Sequence, residues 1–83
     1  MDKVHADLSA VINRFPDLRE AIRKLFLKSK RFQSVCQDYR NCRDAWFYWS
    51  RSDHPEAAAS AEDYSALITE LEAEILESLN ENA

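Results

Sequence analysis

The stretch KRFQSVCQDYRNCRDAWFYWSR, Lys30 to Arg51, decides the fold. Phe32, Val35, Tyr39, Cys42, Trp46 and Trp49 recur in alternating steps of three and four, the a and d positions of a heptad. A half-buried strand would alternate with a period of two, and this stretch does not. It reads as one long helix with an apolar seam of coiled-coil type. Ser29 stands before it as an N-cap, and Ser52-Asp53-His54-Pro55 ends it.

Such a seam needs a facing surface. Downstream, Tyr64, Leu67, Ile68, Leu71, Ile75 and Leu79 line one face of a second helix over residues 60–79. Ser60-Ala61-Glu62-Asp63 resembles a capping box with Asp in place of the usual Glu or Gln, so the helix is expected to start at Ser60. The short polar segment between the two helices predicts an antiparallel hairpin, residues 30–51 with 60–79. Pro55 to Ala59 reads equally as a loop or as an extra helical turn opened by Pro55.

Upstream, the spacing predicts one or two more helices. Val4, Leu8, Val11, Ile12 and Phe15 fall at helical intervals over residues 3–14. Pro16 then interrupts, because proline lacks an N–H donor and disfavours helix in the residue before it. Proline suits a first helical turn, and Asp17 and Glu20 suit its positive end, so a helix over 16–28 follows. The series Val4, Leu8, Val11, Phe15, Leu18, Ile22, Leu25 nevertheless keeps its register through Pro16. A kinked continuous helix would explain that, at a cost of about 3 kcal/mol. A break is the favoured reading.

Composition agrees with an all-α fold. The 83 residues include no glycine and two prolines, so there is little to build tight β-turns from. A single helical domain, a three-to-four-helix bundle, is expected. A core of this size supplies only about 3–5 kcal/mol. Yet 46% of residues are hydrophobic, more than a two-helix hairpin hides. Packing of the N-terminal helices, self-association or a partner must cover the rest. Neither a signal peptide nor a membrane span is expected, since the longest apolar run is Ala45 to Trp49. Two cysteines do not make a disulfide scaffold, and a reduced, cytoplasmic setting is the default.

Two segments resemble a known family. Phe15-Pro16-Asp17-Leu18-Arg19 with Ile22 and Leu25, and Arg31-Phe32-Gln33-Ser34-Val35, are similar to the opening segments of the YdcH-like small bacterial proteins. The likeness covers about residues 15–80 and implies the order short helix, long helix, loop, long helix. Three features depart from it: about fourteen extra residues at the front, the aromatics at 46–49, and a last helix without lysine. The family has no established activity, so the resemblance implies a fold and no chemistry.

Charge is sharply divided. Residues 14–51 hold ten of the eleven Lys and Arg against four acids, whereas residues 52–83 hold nine acids and no Lys or Arg. Arg19, Arg23, Lys24, Lys28, Lys30 and Arg31 form the densest basic stretch. Three readings compete. The acidic last helix can neutralise these cations within the hairpin, each exposed pair being worth about 0–1 kcal/mol while setting register. The patch can instead bind nucleic-acid phosphates or an acidic protein. A net charge of −4 weighs against a nucleic-acid binder and favours the internal reading.

No catalytic constellation emerges, and no enzyme, cofactor or metal site is expected. Cys36 and Cys42 lie six apart, about 9 Å along a helix axis and on different faces, which excludes an intrahelical disulfide. They read as small core residues, with Cys36 the better candidate should either be a reactive thiol. His5 is isolated, and His54 fits a surface or capping role in its turn. Glu70, Glu72, Glu74 and Glu77 read as a plain solvated face. A glycine-rich phosphate loop is impossible without glycine.

Trp46-Phe47-Tyr48-Trp49 is the most informative feature. Consecutive helical residues step by about 100°, so four aromatics in a row surround the axis. Trp46 and Trp49 belong to the seam, leaving Phe47 and Tyr48 pointing away from it. The cover for Phe47 is the N-terminal helix through Val4, Leu8, Val11 and Ile12, a second copy, or another protein. Aromatics are favoured interface anchors, which makes Phe47, Tyr48, Trp49, Val4, Leu8 and Val11 the partner-binding candidates. The function expected is a non-enzymatic protein–protein interaction module, with a small nucleic-acid-associated regulator as the alternative.

Overall fold

The computed structural model describes the backbone of residues 3–82 and the side chains of residues 6–82. Those residues are all-helical. Helix α1 spans Lys3–Arg14, α2 Arg19–Lys28, α3 Lys30–Ser50 and α4 Ala57–Glu81, with a 3-10 turn at Pro16–Leu18 between the first two.

Pro16 breaks the N-terminal segment. Phe15 leaves the helical region at φ −127° and ψ 67°, as a residue before proline tends to do, and the 3-10 turn leads directly into α2. The apolar register survives the break because α1 and α2 each turn the same seam toward one core. That core gathers Val11 of α1, Ile22, Leu25 and Phe26 of α2, Phe32, Val35, Cys36 and Tyr39 of α3, and Ile75 and Leu79 of α4. A large apolar side chain buried there contributes about 1.5–3 kcal/mol.

A single residue joins α2 to α3. Ser29 has extended geometry, its N–H closes α2 on the Leu25 carbonyl at 2.9 Å, and its hydroxyl accepts from the Phe32 N–H at 3.0 Å. Ser29 thus caps α3 as its spacing predicts. The Gln33 amide donates to the Phe26 carbonyl at 2.7 Å, satisfying an acceptor that the end of α2 would leave open.

α3 and α4 share the largest interface of the molecule, and α1 lies across α3. Phe32 borders a groove with Glu77 and Glu81, Tyr39 meets Glu72, and Trp46 and Trp49 border Ala57 and Ala61. The start of α3 therefore lies beside the end of α4, and its end beside the start of α4. The molecule is elongated, 43 × 27 × 21 Å.

The start of α4 corrects one expectation. The helix begins at Ala57, not at Ser60, and Ser60 and Asp63 lie inside it. Of Pro55 to Ala59, the three alanines form an extra helical turn, whereas Pro55 and Glu56 stay in the turn before the helix. His54 accepts the Ala57 N–H on its carbonyl at 2.9 Å, and alanine is the best helix former, so the run Ala57-Ala58-Ala59 starts the helix earlier. Ala57 is buried, which fixes that early start by packing.

Candidate functional site

The end of α3 carries the four consecutive aromatics into four different surroundings. Trp46 and Trp49 are half-buried on the side of α4, bordering a shallow hollow with Ala57, Ala58, Ala61 and Glu62. Phe47 borders a hollow with Ala10, Asn13 and Arg14 of α1, yet remains 42% exposed. Tyr48 is 66% exposed. Neighbouring rings meet edge to face, Trp46 with Phe47 at 5.4 Å and Tyr48 with Trp49 at 5.0 Å. The Arg51 guanidinium sits 5.2 Å from the Phe47 ring centre, a contact worth about 0.5–1 kcal/mol at an exposed site. These rings hold one another in place without hiding the outer two.

The α1 candidates go elsewhere. Val11 is fully buried and Leu8 is half-buried against the core. At these two positions the stripe is core packing. Val4 and His5 lie outside the described side chains. The part of α1 that approaches Phe47 is Ala10 and Asn13, one helical face round from Val11.

His54 is exposed and braces the turn before α4. Its N–H donates to the Ser52 hydroxyl at 3.0 Å, its Nδ1 accepts from the Glu56 N–H at 3.4 Å, and its ring lies edge-on to Trp49 at 5.9 Å.

The basic face is open. Arg19, Arg23, Lys24, Lys28, Lys30 and Arg31 are all exposed, and none makes an ion pair among the described residues. The internal neutralisation expected from the charge division is carried by other residues. Arg14 of α1 forms a two-pronged contact with Glu72 of α4, at 2.9 and 3.3 Å. Arg40 of α3 holds Asp7 of α1 at 2.8 Å and Asp44 at 2.9 Å. Arg31 only shares a groove with Glu74, Glu77 and Glu81.

Two acidic residues and one leucine escaped the reading of the sequence. Asp7 is 6% exposed and pins α1 to α3 through Arg40. Glu72 was expected on a solvated face, but it is half-buried and accepts from both Arg14 and the Tyr39 hydroxyl, the latter at 2.9 Å. Its side chain ties α1, α3 and α4 together. Tyr39 is fully buried, and that burial, together with Glu72, raises its phenol above the ordinary 10.0 against the opposing pull of Arg43. Leu27 is 81% exposed in the middle of the basic face. Its signal was available, since Leu27 falls off the register of Leu18, Ile22 and Leu25.

Cys36 and Cys42 are free thiols. Cys36 is fully buried, and burial with the nearby Asp7 pushes its thiol from 9.0 to about 12. A thiol that stays protonated is a poor nucleophile, so Cys36 is a core residue and no longer the better candidate for reactivity. Cys42 is half-buried, and burial followed by Asp38 raises it as well. Among the described residues, no group of three or more His, Cys, Asp or Glu side chains converges in a way that could hold a metal ion. Nor is any helix of the described residues long and apolar enough to cross a membrane.

What these geometries offer is surface: an aromatic end, and a basic face with a leucine at its centre. No protein-family model, curated protein or solved structure matches this chain.

Proposed function

We propose that this chain is a non-enzymatic protein–protein interaction module, a small adaptor, regulator or accessory subunit. Its frame is the hairpin of α3 and α4, and its working surface is the aromatic end of α3. The observation that carries the reading is the exposure of Phe47 and Tyr48 on a well-packed helix, beside the half-buried Trp46 and Trp49. An aromatic ring held in place at a surface loses little conformational freedom on binding, which is why such rings anchor interfaces. The partner is a second copy or another protein, in a cytoplasmic, reducing setting. Kinship with the YdcH-like proteins over about residues 15–80 belongs to the same proposal.

Affinity capture with the wild-type chain and with Tyr48→Glu, read by mass spectrometry and light scattering, tests it. The module should retain a partner, or itself, and lose it on substitution. An unchanged set of bound proteins, or a chain that binds nothing and stays monomeric, would overturn it.

One observation favours a second reading, a regulator that touches nucleic acid. Six exposed cations without ion pairs among the described residues suit a phosphate backbone. Binding to DNA or RNA should then weaken steeply as salt rises, and the absence of binding at low salt removes this reading.

A further inference from the structure

We propose that the two ends of this molecule are complementary, and that the basic, leucine-bearing end of one copy docks on the acidic, tryptophan-lined end of a second copy. The inference rests on reading the aromatic end as an interaction surface, and it names the partner.

Charge supports the pairing. Residues 19–31 carry six cations and one acid, a net of +5, and Glu74, Glu77 and Glu81 of α4, which share a groove with Arg31 at that end, lower it to +2. Lys24 and Lys28 border a hollow with Leu79 and Asn82, which places them at the end of the molecule where α4 finishes. At the other end, residues 44–63 carry five acids and Arg51, a net of −4. The 21 residues of α3 hold the two ends about 30 Å apart, beyond the reach of side-chain pairing and several Debye lengths in physiological salt. Opposite charges that cannot meet within one copy are available to another.

Shape and polarity agree with charge. Leu27 stands 81% exposed, with Arg23 and Lys24 one turn before it and Lys28 next to it. The hollow at the other end is walled by Trp46 and Trp49, floored by Ala57, Ala58 and Ala61, and edged by Glu62. Leu27 supplies an apolar knob with a cationic rim. The hollow supplies apolar walls with an acidic rim. An end-on two-fold pairing would set basic end on basic end or acidic on acidic, which like-charge repulsion disfavours, whereas an antiparallel two-fold pair would set each basic end on the other copy's acidic end. The contact is therefore basic end to acidic end, and the assembly closes as an antiparallel pair or a ring, or continues into chains.

Two substitutions at exposed positions test this without touching the core. Leu27→Glu spoils the knob, and Ala58→Lys fills the hollow and reverses its charge. Both residues are good helix formers at exposed sites, and circular dichroism confirms the fold of each variant. The wild type should show a mass by sedimentation that grows with concentration and shrinks as salt is raised. Each variant alone should associate at least about tenfold more weakly. Mixing the two should restore association, but only as a one-to-one pair, because each variant retains one sound end. A wild type that stays monomeric at millimolar concentration overturns the inference, as does a discrete dimer that neither variant weakens, a mixture that fails to pair, or a basic end that binds DNA without self-association. If the wild type stays monomeric while Tyr48→Glu still releases a captured protein, this inference falls and the interaction-module reading stands.

Discussion

Phe32 and Trp46 occupy the same heptad position of one helix two repeats apart, and so do Val35 and Trp49. Phe32 and Val35 are buried, whereas both tryptophans are only half-buried. The two regions have the same seam and the same facing helix. They differ in a third layer. Beside Phe32 and Val35, α1 and α2 close over the pair, adding Val11, Ile22, Leu25 and Phe26 to the core. Beside Trp46 and Trp49, the described residues supply α4 and the short turn before it, while Ala10, Asn13 and Arg14 of α1 border Phe47. Heptad register decides which side of a helix faces its neighbour. Depth of burial is decided by whatever lies across the seam.

α4 shows the same contrast between its two ends. Ile75 and Ile68 are one heptad apart on the same face, but Ile75 is fully buried and Ile68 is partly buried. Ile75→Ala should cost about 2–5 kcal/mol. Against a total of about 3–5 kcal/mol for a core of this size, much of the population would unfold. Ile68→Ala should cost about 1 kcal/mol, because less of its surface leaves water on folding. Urea unfolding followed by circular dichroism measures both. Equal losses would mean that the two ends are equally packed.

The helices, the Ser29 cap and the break at Pro16 could be read from the chain because each depends on neighbours within one or two turns. The run Trp46 to Trp49 was legible for the same reason, since the rotation per residue forces some of the four rings outward. Which ring stays uncovered was not legible, because that depends on how far α1 extends along α3. The start of α4 misled for a local reason: Ser60 had the form of a cap, but three alanines before it and a carbonyl from His54 offered an earlier start. The burial of Asp7 and Glu72 left no trace in spacing. Their partners, Arg40 and Arg14, come from other helices, and only the packing of α1 across α3 brings them together. Leu27 drew no attention within the helix over 16–28, although its departure from the register of Leu18, Ile22 and Leu25 marked it as outward-facing.

The Glu72 cluster shows the same contrast in polar form. Glu72 sits where three helices meet and accepts from Arg14 and Tyr39, while Glu62 lies exposed on the same helix near the aromatic end. Glu72→Gln removes the charge that both donors face, and should cost about 1–3 kcal/mol. Glu62→Gln should stay within about 0.5 kcal/mol. Tyr39→Phe combined with Glu72→Gln should show a coupling of at least about 0.5 kcal/mol in a double-mutant cycle. Strictly additive losses would mean that the 2.9 Å contact is incidental.

The cysteines carry the comparison to its smallest effect. Cys36 lies among the triple-layered residues and Cys42 one step up the seam, half-buried. Alkylation at mildly alkaline pH should therefore modify Cys42 first, and Cys36 only as fast as the core opens. The raised thiol of Cys36 has a second consequence. Between 9.0 and about 12 the unfolded chain has lost this proton and the folded chain still holds it. The folded state then binds more protons, so stability falls as pH rises through that window, by at most about 1.4 kcal/mol per pH unit. Tyr39, also raised, acts in the same direction above 10.0. Cys36→Ala separates the two: the small cavity it leaves lowers stability equally at every pH, whereas the lost thiol removes part of the slope. Urea midpoints of both proteins measured from pH 8 upward should converge as pH rises. Parallel curves would show that the Cys36 proton is no better held in the folded chain than in the unfolded one, and the contrast with Cys42 would then rest on access alone.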